Sequence, residues 1–366
     1  MGDPTPPEMP EPKQKIAIVG CGVFAQNHIR AWTLLDGAEL VAVCDRHESR
    51  ARAASVLAGG VPYFTDMQAM LTTTSPDVVD IVTSPLSHRS LAQICADNGT
   101  SAIIQKPLAM TLDESVAIVA AAERAGVTMM VHENFRFQQP IREVRRLLAT
   151  GTIGAPRYCS VGFRTSYTVF PRENGLKHGN RLILMDMGVH VFDVARFLMG
   201  DIIDLSCKIG ETRTEPAADA MASAILSFAN GAIGVVEASS SSSLPYNSGL
   251  DTLITVEGEG GGITLGRRGE IAVRSGGDER FYSVGPSQPS WGDPRWAVVQ
   301  DSVIQTCRHW VDAANGKVAL ELSVEDNLNT LAAVEACYLS AANGGCLVAP
   351  GEVLSDARQR FANATD

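Results

Sequence analysis

The chain has 366 residues, more than one ordinary hydrophobic core organises, so two domains are expected. With 45% apolar and 19% charged residues it has a globular composition, neither disordered nor membrane-embedded. Its 30 basic and 41 acidic residues leave a net charge of −11, which argues against a nucleic-acid backbone or an anionic membrane as partner. A pyrophosphate stays open, because helix ends and backbone amides hold one without lysines.

Residues 1–14 are rich in Pro and Glu, lack an apolar core, and read as a disordered tail rather than a signal peptide. Residues 15–20 form an apolar run ending in Gly, suited to a strand buried on both faces, and 23–35 carry a helical pattern. A second strand over 40–44 ends at Asp45, with a helix from 48 to 57. Residues 78–82 read as a strand, 87–98 as a helix stopped by Gly99, 102–104 as a strand, 112–125 as an Ala-rich helix stopped by Gly126, and 127–131 as a strand. Strands alternating with helices imply a doubly wound parallel α/β sheet with right-handed crossovers.

The texture changes near residue 134. After a basic helix over 140–150, strand-like runs follow at 157–165, 220–229, 232–238, 252–257, 263–265 and 270–274, and Asn230-Gly231 marks a hairpin. Helices are expected at 182–199, 296–314 and 323–342. This predicts an α+β half, residues 134–366, with a large open, mainly antiparallel sheet and helices on one face, joined to a Rossmann domain at 15–133. The helix near 323–342 is a candidate to pack back on the first domain. No apolar run reaches the length of a membrane span. The eight cysteines form no Cys-x-x-Cys pair; buried, reduced thiols in a cytoplasmic protein are expected, and no metal site.

Three constellations carry chemistry. Gly20-Cys21-Gly22-Val23-Phe24-Ala25 follows the first strand and opens a helix. Gly20 permits the tight turn, Gly22 lets the backbone approach a pyrophosphate, and Ala25 is small enough for close helix–strand packing. Asp45, ending the second strand, suits ribose hydroxyls and would repel a 2′-phosphate, favouring NAD over NADP, a preference that Arg46 softens. Gln105-Lys106-Pro107 sets Lys106 at the carboxyl edge of the sheet, where a lysine hydrogen-bonds a substrate hydroxyl and helps move its proton; the plainer reading is a surface lysine. In Asp186-Met187-Gly188-Val189-His190-Val191-Phe192-Asp193, Asp186 and His190 stand four apart on one helix face. There the carboxylate would orient a basic imidazole, or the pair would brace the helix; a cation site is the weakest reading, since nothing nearby completes a ligand set.

Together these motifs resemble the Gfo/Idh/MocA oxidoreductases, in order and spacing, from Ile16 to about Leu339. The resemblance implies NAD(P)-dependent chemistry on the CH-OH groups of sugars, polyols or related compounds, with Lys106, Asp186 and His190 matching the family's catalytic lysine, aspartate and histidine. It adds Val23, Phe24, Ser84, His88, Gln105 and Lys106 to the cofactor side and Arg164 to the substrate side, and implies homodimers or homotetramers packed through the second sheet. Gln105 departs from the family's usual Glu and leaves the proton route open, as it does the choice of Lys106 or His190 as principal base. Residues 22–28 and 132–138 are similar to a narrower group, bacterial D-apiose dehydrogenases and related pentose-oxidising enzymes. In the latter stretch Asn134 and Arg136 are placed to reach the sugar or, equally, to form a hydrogen-bond network at the domain hinge. The expected activity is NAD-dependent oxidation of a sugar or polyol, such as D-apiose to its lactone. The alternatives are an inositol-type dehydrogenase, a ketone or imine reductase, or a non-catalytic NAD-sensing regulator.

Overall fold

The computed structural model describes residues 13–165, 181–211, 219–242 and 251–365. Residues 1–12 of the expected tail lie outside the described residues, and Gln14 already belongs to the first strand.

The first half runs β1 (Gln14–Val19), α1 (Ala25–Leu34), β2 (Ala38–Cys44), α2 (Glu48–Leu57), β3 (Tyr63–Phe64), α3 (Met67–Thr74), β4 (Val78–Ile81), α4 (His88–Asp97), β5 (Ser101–Gln105), α5 (Leu112–Ala125) and β6 (Met129–His132). The six strands pair in parallel in the order β3-β2-β1-β4-β5-β6. Every residue of β4 and β6 is buried, because helices cover both faces of the sheet. The order reverses between β1 and β4, and in such sheets the crevice beyond the strand ends at that point is the ligand site. Local chemistry sets the element ends. The Thr111 side chain accepts from Glu114 N at the start of α5, and Gly126, at φ +65°, ends it.

A 3-10 turn (Asn134–Phe137) leads into α6 (Gln139–Ala149) and β7 (Pro156–Arg164). A π-helical segment (Leu184–Gly188) then runs into α7 (Val189–Met199). Then follow β8 (Ile202–Glu211), β9 (Asp219–Phe228), β10 (Ile233–Ser239), β11 (Thr252–Gly258), β12 (Gly261–Leu265), β13 (Glu270–Ser275), β14 (Asp278–Ser283), α8 (Ala297–Ala314), α9 (Val324–Ala342) and α10 (Pro350–Thr365). Eight strands form an open sheet, β14-β13-β12-β11-β7-β10-β9-β8, antiparallel throughout except for the β7–β10 pair. Period-two alternation points Ala222, Ala224, Leu226 and Phe228 toward the helices and leaves Met221, Ile225, Ile233 and Leu253 exposed on the opposite face.

One continuous apolar core joins the two sheets, running from Val79 and Ile104 through Phe135 to Phe163 and Val236. A second core packs α8 (Val303, Ile304, Cys307 and Trp310) onto Ile16, Ile29 and Trp32. Late sequence thus completes the covering of the first sheet, while α9 lies against α5 and α7 as well as β8.

Candidate active site

The cofactor end is built from the turns after β1, β2 and β4. Gly20 has φ +95°, and a Cβ there would sit 2.3 Å from Val82 O, so no other residue fits without moving the chain. A Cβ at Gly22 would meet nothing within 4 Å, which leaves that backbone uncovered, while Val23 is 87% exposed and Ala25 is buried. Asp45 braces this turn. Cys21 N donates to Oδ2 at 2.9 Å and His47 N to Oδ1 at 2.8 Å. Exposed Ser84 follows β4 on the same side, and Thr83 approaches the Gly20 turn. Phe24 and Arg46 are exposed beside it. An open glycine backbone at the start of α1, with a carboxylate at the end of β2, fits a dinucleotide.

Lys106 follows β5, and its peptide bond to Pro107 is cis. Its ammonium donates to the Asp186 carboxylate at 2.5 Å and to Asp186 O at 2.9 Å. His190, in the first turn of α7, stacks on Phe135 with ring centroids 3.8 Å apart and 7° between planes. Its Nδ1 is bonded to Glu133 Oε1. Burial and the Lys106 charge hold the imidazole well below its ordinary pKa, so it is neutral at neutral pH. Burial pushes the Glu133 carboxyl up to about 7, against the pull of Lys106 and Arg136. Among the described residues Glu133 Oε2 has no hydrogen-bond partner. Two acid–base pairs from different elements therefore meet, Lys106 with Asp186 and His190 with Glu133.

This corrects the expected pairing of Asp186 with His190. Residues four apart share a helix face, but here each is claimed by a partner from the nucleotide domain. Glu133 was missed as a site residue. The available signal was its place one residue beyond β6, at the carboxyl edge of the sheet beside the Lys106 strand.

Several other expected contacts are also corrected. His88 is fully buried and turned inward, with Nδ1 near the Pro107 and Leu108 carbonyls (3.0 and 3.2 Å) and Nε2 near Thr83 O (3.3 Å), so it braces the loops instead of facing a cofactor. Gln105 also points inward. Its Oε1 accepts from Lys106 N at 2.8 Å and its amide faces His28 Nε2 at 3.2 Å. Arg136 grips Asp193 through two bonds of 2.8 and 2.6 Å, and Asn134 donates to Ser302 Oγ at 2.6 Å. Of their two readings, the structure favours the hinge network, because these donors are spent on protein groups. Arg164 pairs with Glu237 on the open face of the second sheet, opposite Phe163, whose ring touches Phe135 beneath His190. Strand alternation turns it away from the site.

His28, His132 and Cys307 bring three ligand-type atoms within 4.8 Å of one another. Both nitrogens of His28 are already engaged, Nδ1 with Asp80 at 2.8 Å and Nε2 with Gln105, whereas among the described residues neither ring nitrogen of His132 has a partner.

Residues 14–133 match the family model described as oxidoreductase family, NAD-binding Rossmann fold, and residues 141–264 match the GFO/IDH/MocA C-terminal domain. The chain is 39% identical over 330 residues to a D-apiose dehydrogenase of Paraburkholderia graminis, covering 90% of this chain and 88% of that protein. It is 35% identical to a D-apiose dehydrogenase of Rhizobium rhizogenes, covering 90% and 96%. Its fold superposes with a TM-score of 0.88 on an oxidoreductase from Agrobacterium radiobacter solved with NAD+, L-tartaric acid and magnesium, at 35% identity and covering 93% and 99% of the two chains.

Proposed function

Because the chain belongs to the Gfo/Idh/MocA family of NAD-binding oxidoreductases, we infer that it is an NAD-dependent dehydrogenase of sugar or polyol hydroxyls. We propose that its substrate is a pentose such as D-apiose, oxidised at the anomeric carbon to the lactone. The observation that carries the reading is the meeting of a lysine ammonium, a neutral imidazole and two carboxylates where the β5 and β6 ends face α7.

Bound NAD supplies the hydride acceptor. The chain supplies aim and proton handling. His190 spends Nδ1 on Glu133, and among the described residues its Nε2 has no hydrogen-bond partner, leaving it to take the proton of the substrate hydroxyl. Lys106, held by Asp186, donates to the same oxygen and stabilises the negative charge that grows there as the O–H bond breaks. Phe135 clamps the imidazole face, so the base is presented in one orientation. A regulator that only senses NAD has no use for this acid–base set.

Assembly through the open sheet face, with Met221, Ile225, Ile233 and Leu253, is part of the proposal, as is a cytoplasmic setting. No helix among the described residues is long and apolar enough to cross a membrane. The test of function is NADH formation over a panel of D-apiose, other pentoses, hexoses and inositols, with NAD and NADP compared and the lactone trapped by hydroxylamine. D-Apiose or another pentose should give the highest kcat/KM. An inositol preferred tenfold would refute the pentose assignment, and NADH formation with none of the panel would refute the dehydrogenase reading.

A further inference from the structure

We propose that Glu133 is the positioning carboxylate of this dehydrogenase, receiving from His190 Nδ1 the proton displaced when Nε2 takes up the proton of the substrate hydroxyl. The inference rests on the reading above, with His190 as the group that accepts that proton. In balance, the substrate O–H bond breaks and an Nε2–H bond forms. The Nδ1–H proton passes to the Glu133 carboxylate, which becomes a carboxylic acid, and the hydride leaves the carbon for bound NAD. Reduction runs the same transfers backward.

Three observations support it. The short turn after β6 holds His190 twice, by the Phe135 ring against its face and by the Glu133 carboxylate at its edge. The carboxylate is completely buried, and among the described residues only Oε1 is engaged, by His190 and, at 3.4 Å, by Phe135 N. A buried anion with an idle oxygen costs several kcal/mol that a glutamine would avoid, so a purely structural bond to a neutral imidazole gives the charge no purpose. Finally, the two carboxylates at the site are divided in labour. Asp186 is committed to the ammonium of Lys106, whereas Gln105 is a neutral amide turned to His28, so Glu133 is the acid bonded to the imidazole.

The charged and titratable groups facing the pair are Lys106 from the end of β5, Arg136 from the 3-10 turn, Asp186 from the π-helical segment, Asp193 from α7 and His132 from β6. Burial lowers His132 to about 3, and Asp193, raised by burial to about 6, is tied to Arg136, so near neutrality the groups that titrate are the carboxyls of Glu133 and Asp193, of which Glu133 is the one bonded to the imidazole. With Glu133 lifted to about 7 and His190 held well below its ordinary value, a proton taken up by the pair rests on the carboxyl.

The test compares wild type with Glu133→Gln, Glu133→Asp and His190→Gln. Each is assayed for kcat and KM against pH and for NAD affinity and melting temperature, and ring protons are observed by NMR in protein carrying 15N-histidine. Glu133→Gln should lower kcat about 10²–10³-fold. Sugar KM and NAD affinity should stay within about threefold, and the acid limb of kcat/KM near pH 7 should move to lower pH. Glu133→Asp should restore part of kcat. A strongly deshielded ring proton bridging His190 and Glu133 should be present in wild type and lost in Glu133→Gln and His190→Gln. Wild-type kcat with an unmoved acid limb in Glu133→Gln would overturn the proposal, as would lost activity that tracks lost stability with the limb unchanged. Absence of the bridging proton in wild type would overturn it even if no sugar is oxidised, which separates its failure from failure of the functional reading.

Discussion

Arg136→Met should cost about 4 kcal/mol of stability and leave the KM for the sugar near that of wild type. The guanidinium makes two bonds to Asp193, at 2.8 and 2.6 Å, with side chains 8% and 0% exposed, and Asp326 and Glu321 lie farther out at 3.5 and 3.9 Å. Charge centres about 4 Å apart at an effective dielectric of about 20 attract by about 4 kcal/mol. Removing one member of a buried pair costs about 3–5 kcal/mol, because the other is left uncompensated. At about 2.1 cal/mol/K of unfolding entropy per residue, a cooperative unit of roughly 230 residues would lose about 8 °C in melting temperature. Guanidinium denaturation of Arg136→Met, Asp193→Leu and the double variant measures the coupling. The double variant should recover most of the loss, since an apolar pair replaces the buried ions. A loss below about 1 kcal/mol in Arg136→Met would refute the brace assignment. So would a tenfold rise in sugar KM at unchanged stability, which would return Arg136 to the substrate.

Gly20→Ala should weaken NAD binding by about tenfold or more by calorimetry, because a Cβ 2.3 Å from Val82 O forces the turn to move. Asp45→Ala removes the acceptor for Cys21 N and His47 N, so NAD affinity should fall and the ratio of kcat/KM for NAD over NADP should shrink. Lys106→Met should lower kcat about 10²–10³-fold with NAD affinity unchanged, read from initial rates and cofactor titration. The Glu133 carboxyl, raised from 4.5 to about 7, binds its proton more tightly in the folded chain. Its contribution to stability is therefore complete below pH 4.5 and lost as pH rises to 7, on the order of 3 kcal/mol. Denaturation between pH 5 and 8 should show Glu133→Gln gaining stability relative to wild type as pH rises.

Elements with local signals were legible in the chain. The helix predicted over 112–125 has the bounds of α5, because Thr111 and Gly126 mark its ends. The Asn230-Gly231 hairpin joins β9 to β10. The elements that escaped reading are β3, α3, β8, β14 and α10. β3 has only two residues, and β14 is an edge strand with almost no buried side, so neither offers a period to read. β8 did carry inward Leu205 and Cys207 in alternation, a signal that was present and missed. At the site, Gly20, Asp45, Lys106, Asp186 and His190 were recognisable as candidates because each sits in a short motif at an element end.

The sequence alone determined the division into a parallel and a mainly antiparallel sheet, the glycine turn with its acid, and Lys106, Asp186 and His190 as candidates for proton chemistry, though not Glu133. These follow from the spacing of apolar residues and from turn residues a few positions apart. Tertiary structure decided who meets whom. Asp186 and His190, four residues apart, were drawn to Lys106 and Glu133, 80 and 57 residues away, while Arg136, His88 and Gln105 were spent as braces and Arg164 was turned to the far face. A buried charge or polar group takes whichever partner the packed elements bring within about 3 Å, and that proximity is a property of the assembled layers, not of any local stretch of chain.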